Sequence, residues 1–416
     1  MKRGNANKAF GKAGIHLEQC KDKPNLRARA EAFTRERKLG AKRLLELILL
    51  RVYRALQLTL DDYYEGLGEP TISKQAFSKA RRDLNPEFVR SFFDITAETG
   101  AEDDTMDTYK GMRLIAIDGS DVALENSKDL KANFGCSGPK KNAATALCSV
   151  AYGPLDHVIY DGRIDRYEKD ERDLAKLHVE RLLELGLGGS LLLFDRWYPS
   201  AEFIAFLLEK GFHFVMRARS KWNLQADEIK TEGWICVNFN GKSYPVRVLK
   251  VVLPTGEIET LLTSLNKAQL SIRDAGELYF KRWGVETSYD LLKSKLQLEN
   301  FSGKTKISVE QDFYATIYLA NMAAFIDGEA DEEIRMADAG KSLLYARQAN
   351  RNRTIAKLRR NFLRLLLEPD SDMRNAMLSR VIASISSYPV PIVPDRSPAR
   401  KIPRAKRFHV AKKSVV

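Results

Sequence analysis

The sequence predicts an α/β protein in which a central sheet is flanked by helical regions at both ends of the chain. Between residues 113 and 216, short apolar runs typical of buried strands alternate with segments of helical periodicity. Residues 219–262 form a second β-rich stretch, with turn signals at Asn240-Gly241 and Pro254-Thr255-Gly256. Residues 1–105 and the chain from Ser271 to Tyr388 are predicted to be helical.

Composition narrows the class of protein. The chain has 416 residues, of which 44% are hydrophobic, so it can form two to four domains at about 100–200 residues each. The apolar run Leu44–Leu50 is far shorter than the roughly 18 residues that cross a bilayer, and the N-terminus has no apolar signal core. The four cysteines are spread singly, which argues against a disulfide scaffold and a cysteine zinc site. We therefore expect a soluble, cytoplasmic protein.

Charge is distributed unevenly along the chain. Residues 1–60 contain 15 basic and 5 acidic side chains, and residues 341–416 contain 18 basic and 4 acidic ones. The formal net charge of the whole chain is +13, so the middle of the chain is acidic. Basic ends around an acidic centre suit a protein that grips a polyanion at its flanks. Solvated surfaces and a basic tail explain the same pattern.

Two helices are predicted within the N-terminal region. Apolar residues at helical spacing predict a helix over Gly40–Leu58. Ser73 is a natural N-cap for a second helix, Lys74–Leu84. A helix-turn-helix-like contact with DNA and a capped surface helix account equally well for the basic face of this second helix. Its four cations are Lys74, Lys79, Arg81 and Arg82.

The central region is predicted to begin with a β-hairpin, Thr145–Tyr152 and His157–Ile164, beside the strands considered next. Glu171–Leu185 alternates charged and apolar residues at helical period. Pro199 is predicted to open a further helix that runs through Lys210, and Phe212–Met216 is predicted to be a buried strand.

Two apolar runs end on an aspartate. Leu114–Ile117 is followed by Asp118, and Leu191–Phe194 is followed by Asp195. Each aspartate is thus predicted at the C-terminal end of a strand, which is where α/β sheets place their functional sites. One such aspartate is commonly a turn residue or a helix cap. The presence of two favours a site.

A third carboxylate lies on a predicted helix that begins at the capping-box sequence Ser271-Ile-Arg-Asp274. At 100° per residue, four polar residues of this helix share an arc of about 60°: Tyr279, Arg282, Glu286 and Lys293. An apolar flank for the core is formed by Leu278, Val285, Leu292 and Leu296. The polar face is either a solvated surface with an ion pair or a phosphate-binding surface beside a metal ligand.

Carboxylates from two strands and a helix can hold two Mg²⁺ ions about 4 Å apart. In such a site one ion activates the attacking oxygen of a phosphodiester displacement, and the other stabilises the leaving oxygen. Together, Asp118, Asp195 and Glu286 therefore favour metal-dependent chemistry on a phosphodiester.

The pattern also resembles a known family. The spacing Tyr279-x2-Arg282-x3-Glu286-x6-Lys293 matches the signature of the DDE transposases of insertion-sequence family 4. The motifs Ile117-Asp118-Gly119-Ser120 and Phe194-Asp195-Arg196 resemble the two aspartate motifs of that family, in the same order. The resemblance covers about residues 70–325.

The resemblance implies an RNase H-like catalytic domain with a β-rich insertion between the second aspartate and the glutamate. The 91 residues from Asp195 to Glu286 leave room for that insertion. The predicted organisation is a basic, helical DNA-binding domain (1–105), a catalytic domain (106–218 and 263–335), the insertion (219–262) and a helical C-terminal region (336–416) whose last residues, 395–416, form a basic tail.

The same resemblance implies the roles of the site residues. Asp118, Asp195 and Glu286 are expected to bind two Mg²⁺ ions, for which Mn²⁺ can substitute. DNA phosphates near the cleaved end are expected to contact Tyr279, Arg282 and Lys293. Relatives hold a flipped base with a tryptophan of the insertion, for which Trp222 and Trp234 are candidates here, although packing explains each of them too. Three histidines without metal-ligand spacing are interpreted as structural: His157, His178 and His213.

The function implied by the resemblance is transposition of an insertion sequence. The enzyme would cleave double-stranded DNA at the terminal inverted repeats and join the ends to target DNA, as a homodimer in the synaptic complex within the bacterial nucleoid. Two alternatives stay open: a standalone RNase H-like nuclease or resolvase, and a transposase-derived DNA-binding protein without catalysis. The intact Asp/Asp/Glu set favours an enzyme.

Overall fold

The computed structural model describes residues 4–34, 38–50, 55–253 and 256–393. Val52 of the first predicted helix, the turn residues Pro254 and Thr255, and the basic tail 395–416 lie outside the described residues. In the described part of the chain, no helix has both the length and the apolar character needed to cross a membrane.

The N-terminal region is helical, as predicted. Its helices are α1 (Asn5–Glu18), α2 (Ala41–Leu49), α3 (Leu56–Gly66), α4 (Lys74–Arg81) and α5 (Pro86–Ala101). The predicted cap at the start of α4 is confirmed, because the Ser73 hydroxyl accepts a hydrogen bond from the backbone N–H of Ala76 at 3.2 Å. Within the predicted helix Gly40–Leu58, α2 ends at Leu49 and α3 begins at Leu56.

A nine-stranded sheet forms the centre of the described structure. Its strands are β1 (Leu114–Ala123), β2 (Cys136–Ser137), β3 (Ala143–Tyr152), β4 (Ile159–Arg166), β5 (Leu191–Phe194), β6 (His213–Ala218), β7 (Glu232–Phe239), β8 (Lys242–Val252) and β9 (Ile258–Thr263). The predicted hairpin is confirmed as β3 and β4, which pair antiparallel. A separate two-stranded sheet joins β10 (Arg347–Gln348) to β11 (Val390–Pro391).

Strand order identifies the fold of the central sheet. β4, β3 and β1 are antiparallel neighbours, and β5 and β6 follow on the other side of β1, both parallel to it. Three antiparallel strands followed by two strands parallel to the first is the arrangement of an RNase H-like sheet. The predicted α/β fold is therefore confirmed.

The prediction that Asp118 ends its strand is wrong. β1 continues through Asp118 to Ala123, because its antiparallel pairing with β3 extends from Ala116 to Ala123. Its parallel pairing with β5 stops earlier, at Ala116 opposite Leu193. Asp118 thus lies in mid-strand, just past the point where the parallel neighbour ends.

The β-rich stretch that was predicted as an insertion is part of the same sheet. β9 pairs antiparallel with β6, β8 with β9, and β7 with β8, so the strand order continues from β5 and β6 into these three strands. Asn240 and Gly241 join β7 to β8, both with positive φ, as the predicted Asn-Gly hairpin turn requires. The division of the chain into domains stays a prediction.

Helices cover the sheet. After β1 come α6 (Lys128–Phe134), α7 (Glu171–Glu184), α8 (Ala201–Glu209), α9 (Leu224–Glu228), α10 (Ile272–Phe280), α11 (Trp283–Asp290), α12 (Lys306–Asp338), α13 (Arg351–Leu366) and α14 (Ser371–Ser386). The predicted start of α8 at Pro199 is two residues early, because Ser200 is the N-cap and accepts from the backbone N–H of Phe203 at 3.1 Å.

The 33-residue helix α12 joins the N-terminal helices to the sheet through buried polar contacts. Asn321 exchanges hydrogen bonds of 2.8 Å with both backbone groups of Ile159 in β4. Asp312 forms an ion pair of 3.0 Å with Arg81 of α4. Because both members of this pair are almost fully buried, removal of either one leaves an unpaired charge in the core, which costs about 3–5 kcal/mol.

Candidate active site

The two aspartates lie side by side at one place on the sheet. The parallel register places Ala116 of β1 opposite Leu193 of β5, and two residues further along lie Asp118 and Asp195. Neighbouring strands are about 4.8 Å apart, so the register brings the two carboxylates close to each other at the point where β5 ends. The backbone N–H of Trp197 donates to Asp195 Oδ1 at 2.6 Å, which orients that side chain in the turn after β5.

The third predicted carboxylate is carried by the helical segment from Ser271 to Lys295, which is not one continuous helix. The predicted cap is confirmed, because Ser271 accepts from the backbone N–H of Asp274 at 3.1 Å. However, α10 ends at Phe280 and α11 begins at Trp283, and the last turn, Leu291–Lys295, is a π-helix. The junction is a tight turn in which the N–H of Arg282 bonds to Tyr279 O. A tight turn followed by a wide one is common at functional sites.

Despite this break, the predicted polar face points to β1. Arg282 donates to Asp118 Oδ2 at 3.3 Å and to Glu286 Oε1 at 3.1 Å, so its guanidinium joins a strand carboxylate to a helix carboxylate. The guanidinium carbon also lies 5.7 Å from the ring centre of Tyr279. The Arg282 side chain is 9% exposed, and its Nε–H is buried without a hydrogen-bond partner among the described residues.

Lys293 reaches the same strand from the π-helical turn. Its Nζ donates to Ser120 Oγ at 2.7 Å and to the backbone oxygen of Asp121 at 2.5 Å. Tyr289, one α-helical turn earlier, donates its hydroxyl to Asp118 O at 2.7 Å. This helical segment is therefore fixed to β1 between Asp118 and Asp121.

Sequence reasoning missed a fourth carboxylate at this site, Glu171 at the start of α7. Its Oε2 lies 2.8 Å from the position that a β-carbon on Gly119 would occupy, so the glycine makes room for the carboxylate. The hydroxyl of Tyr198 donates to Glu171 at 3.1 Å. Side chains alternate between the two faces of a strand, so Glu171 approaches β1 from the face opposite to Arg282. The sequence signal was a glutamate in the first helical turn, which is also where helix capping places acidic residues.

The carboxylates Asp118, Asp195 and Glu171 carry more negative charge than the nearby Arg282 can neutralise. Burial above all, together with the charges of Asp195 and Glu171, raises the pKa of Asp118 to about 7, even though Arg282 acts in the opposite direction. Burial, and then the charge of Asp195, likewise raise the pKa of Glu171 above its usual value. Since carboxylate oxygens are the ligands that Mg²⁺ prefers, the donor set fits a divalent cation in type and charge.

In geometry, the carboxylates are held apart. Among the described residues, no group of three or more His, Cys, Asp or Glu side chains is close enough together to hold a metal ion. Arg282 lies between Asp118 and Glu286 and pairs with both. The assignment of Asp118, Asp195 and Glu286 as metal ligands, and of the neighbouring cations as phosphate contacts, stays a prediction.

Several other predicted residues lie elsewhere. Arg81 of the predicted DNA-contacting face is 2% exposed and ion-paired, so it cannot contact DNA. Trp222 is partly buried and donates from Nε1 to Pro199 O at 2.9 Å, whereas Trp234 on β7 is 53% exposed. His178 is buried between Asp161 and Ser149, at 2.8 and 2.9 Å, as a structural residue.

Two further histidines were predicted to be structural, and three exposed aromatic residues lie next to site residues in the chain. His157 contacts the hydroxyl of Tyr152 at 2.6 Å through Nδ1, and His213 is the first residue of β6. Three exposed aromatic side chains lie beside the site residues in the chain: Trp197, Phe280 and Trp283. Their signal was their adjacency to Asp195 and Arg282 in the chain.

The sequence is similar to those of known transposases. Residues 109–322 match the family model described as a transposase DDE domain. The chain is 23% identical over 281 residues to the transposase InsG for insertion sequence element IS4 of Escherichia coli (strain K12), covering 62% of this chain and 61% of that protein. It is 26% identical over 192 residues to the putative transposase InsZ of the same organism, covering 44% of this chain and 62% of that protein. The chain thus spans about three fifths of the length of these relatives.

Among solved structures, the piggyBac transposase in a synaptic complex with hairpin DNA aligns with 95% of this chain and 87% of its own, at 13% identity and a TM-score of 0.48.

The family model spans more than half of the sequence, and the matched residues include Asp118, Asp195 and Glu286. Because this model covers more than half of the sequence, the chain belongs to the DDE transposase family.

Proposed function

We propose that this protein is a Mg²⁺-dependent cut-and-paste transposase, which cleaves DNA at the terminal inverted repeats of its own element and joins the freed ends to target DNA. The observation that carries the proposal is the meeting of Asp118, Glu286 and Arg282 from a strand and a helix, with Asp195 as the neighbour of Asp118 in the sheet. Carboxylates from three separate elements have no structural need to lie near the same point of the sheet. A phosphodiester transferase does need them near it.

The carboxylates would hold the metal, and the cations would hold the DNA. Asp118, Asp195 and Glu286 supply oxygen ligands, and bound Mg²⁺ would polarise the phosphodiester and activate the attacking oxygen. Glu171 lies beneath Gly119 and keeps the local potential negative. That potential attracts a divalent cation to the carboxylates and repels DNA phosphates in its absence.

The Arg282 guanidinium can pair either with carboxylates of the protein or with a DNA phosphate. In this structure its guanidinium neutralises Asp118 and Glu286. A DNA phosphate is a bidentate acceptor of the same kind as a carboxylate, so the guanidinium can exchange these contacts for the phosphate next to the cleaved bond. Tyr279 limits where that exchange takes place, because its buried ring lies against the guanidinium. Lys293 would contact the same strand of DNA from its place beside Ser120.

The test is incubation of the purified protein with duplex DNA that carries the flanking inverted repeats, in Mg²⁺. We expect cleavage at the repeat ends and, with an added target plasmid, joined products. An Asp118→Asn protein is the matched negative control. Cleavage without joining, even from ends cut beforehand, would contradict transposition and indicate a nuclease. Repeat-specific binding without cleavage would indicate a DNA-binding protein. Joined products that contain two ends would also support the expected synaptic homodimer.

A further inference from the structure

The C-terminal helices α13 and α14 form a groove that lies outside the site described above. The two helices pack against each other and against α1 and α12. The groove between them has a volume of about 290 Å³ and is lined only by residues 357–384 of these two helices. All four charged residues that line it are basic: Lys357, Arg360, Arg364 and Arg380. We call this surface the α13–α14 groove.

These cations differ from other arginines of the two helices in having neither an ion pair nor a side-chain hydrogen bond to a described residue. Within residues 4–34, 38–50, 55–253 and 256–393, none of the four has an acidic partner. Other arginines of the same two helices do have partners. Arg353 donates to Ser384 O at 2.8 Å, and Arg374 donates to Asn7 Oδ1 at 2.6 Å. Arg360 and Arg364 are four residues apart on one helix, a like-charge spacing that is unfavourable unless an anion is bound.

We propose that the α13–α14 groove binds the phosphate backbone of duplex DNA through contacts that do not depend on base sequence. The inference rests on the proposed function, since that function supplies DNA as the polyanion. Lys357, Arg360 and Arg364 follow one another at spacings of three and four residues on one face of α13, and so cover about 10 Å along the helix. That distance is the axial length of about three nucleotides of one strand. Arg380 faces them from α14.

The composition of the groove favours a nucleic acid over an acidic protein segment. Its apolar floor, Leu365 and Val381, is 0% and 7% exposed. The charged residues of the groove are four cations and no carboxylate, and three of them follow one another along α13, which matches the regularly spaced charges of a phosphate backbone. Exposed arginines of this kind are typical of contacts to a phosphate backbone.

The experiment measures how the affinity for an unrelated duplex depends on salt, with the full-length protein in EDTA so that no metal contributes. The variant is Arg360→Gln/Arg364→Gln, at two exposed helical positions. Each phosphate contact contributes about 0.9 to the slope of log K against log salt, so we expect the slope to become shallower by about two. The matched control is Arg335→Gln/Lys341→Gln, which removes the same charge from cations that are paired with Glu332 and Asp338. We expect this control to keep the wild-type slope.

Equal slopes for the groove variant and its control would overturn the inference and leave the proposed function intact. A wild-type protein that bound no duplex at low salt would contradict both. If the groove served an acidic protein segment, polyglutamate would bind it while the duplex slope stayed unchanged, which also overturns the inference. Should the double variant fail to fold, Arg380→Gln on α14 gives the same test with an expected change of about one.

Discussion

The cations of the active site and those of the α13–α14 groove are held in opposite ways. Arg282 and Lys293 each have specific acceptors on β1, within 3.3 Å. Arg360, Arg364 and Arg380 are exposed and have no acidic partner among the described residues. A cation that must lie at one position for a reaction is held there by the fold. A cation that contacts a DNA backbone of variable position binds it better when its side chain can move. This difference predicts how each region responds to substitution.

The largest effect is expected from the three carboxylates proposed to bind metal. Asp118→Asn, Asp195→Asn and Glu286→Gln should each lower cleavage by at least about a thousandfold, because each removes a proposed metal ligand and with it several kcal/mol of transition-state stabilisation. Binding of repeat DNA, measured by gel shift in Ca²⁺ or EDTA, should stay near that of the wild type. Near-normal cleavage by any one variant would remove that residue from the site.

A smaller effect, of about ten- to a hundredfold, is expected when Arg282 is replaced by Lys. A planar guanidinium presents two parallel N–H donors to two oxygens of one phosphate, and an ammonium does not reproduce this fixed bidentate geometry. The measurement is strand transfer from ends cut beforehand, which isolates the joining step. Arg360→Lys in the groove is the direct counterpart, and it should keep both joining and duplex affinity, because a phosphate contact of variable geometry needs only charge. If both variants behaved alike, the comparison between the two regions would be wrong.

Lys293→Ala should weaken recognition of the cleaved end about tenfold while leaving binding to unrelated duplex unchanged, because Lys293 is fixed beside Asp118 and outside the groove. Competition between end DNA and unrelated DNA for the variant measures this ratio. An unchanged preference for the end would return Lys293 to an ordinary surface role.

Glu171→Gln is expected to raise the Mg²⁺ concentration needed for half-maximal cleavage by about tenfold, since a carboxylate beside metal ligands supports their affinity. The glutamine keeps the size of the side chain and its contact with Tyr198, so folding should be unaffected. Glu168→Gln, on the loop before α7, is the control with the same charge change. Equal Mg²⁺ requirements in the two variants would place Glu171 in a purely structural role.

The last prediction concerns stability and not activity, in the helices that support the groove. Asp327 of α12 accepts a hydrogen bond of 2.5 Å from Thr354 and lies 3.8 Å from Arg351, both on α13. Burial raises the pKa of Asp327 to about 7 in the folded protein. The folded state therefore holds the proton more tightly than the unfolded state. The resulting stability is complete below the unfolded pKa of about 3.9 and is lost as the pH rises to 7, by at most about 4 kcal/mol.

Asp327→Asn should accordingly reduce the fall in melting temperature between pH 4.5 and pH 7.5, because the amide does not titrate. Asp372→Asn, at an exposed position of α14, is the control and should show the wild-type pH dependence. A variant with an undiminished fall would show that Asp327 is not the group that titrates between α12 and α13.

Sequence patterns predicted the features that depend on residues close together in the chain, such as helix caps and helix faces. Ser73 and Ser271 were predicted as caps because a short hydroxyl side chain before an amphipathic run has few other uses, and the structure confirms both. The convergence of Arg282, Glu286 and Lys293 on one side was predictable from helical period, even though the helix is tightened at one end and widened at the other. A tight turn and a wide turn change the rotation about the helix axis in opposite directions, so the polar side chains stay on one side.

The features that could not be predicted depend on contacts between segments that are far apart in the sequence. Asp118 seemed to end a strand because the apolar run stops there, but the ladder with β3 carries β1 on to Ala123. Glu171 belongs to the site only because β4 and α7 bring it back under Gly119. The joining of β9 to β6 is likewise a contact between distant segments. No periodicity within a segment reports which other segment it will meet.

The continuous sheet has a consequence for how such proteins can change in evolution. Residues 219–262 cannot be exchanged between relatives as an independent module, because β9 shares a hydrogen-bond ladder with β6, and β6 shares one with β5, which leads directly into Asp195. A one-residue slip of β9 would turn every side chain of that strand to the other face of the sheet. Variation in this stretch should therefore concentrate in the turns, where length can change freely, while the number of residues in the strands stays constant.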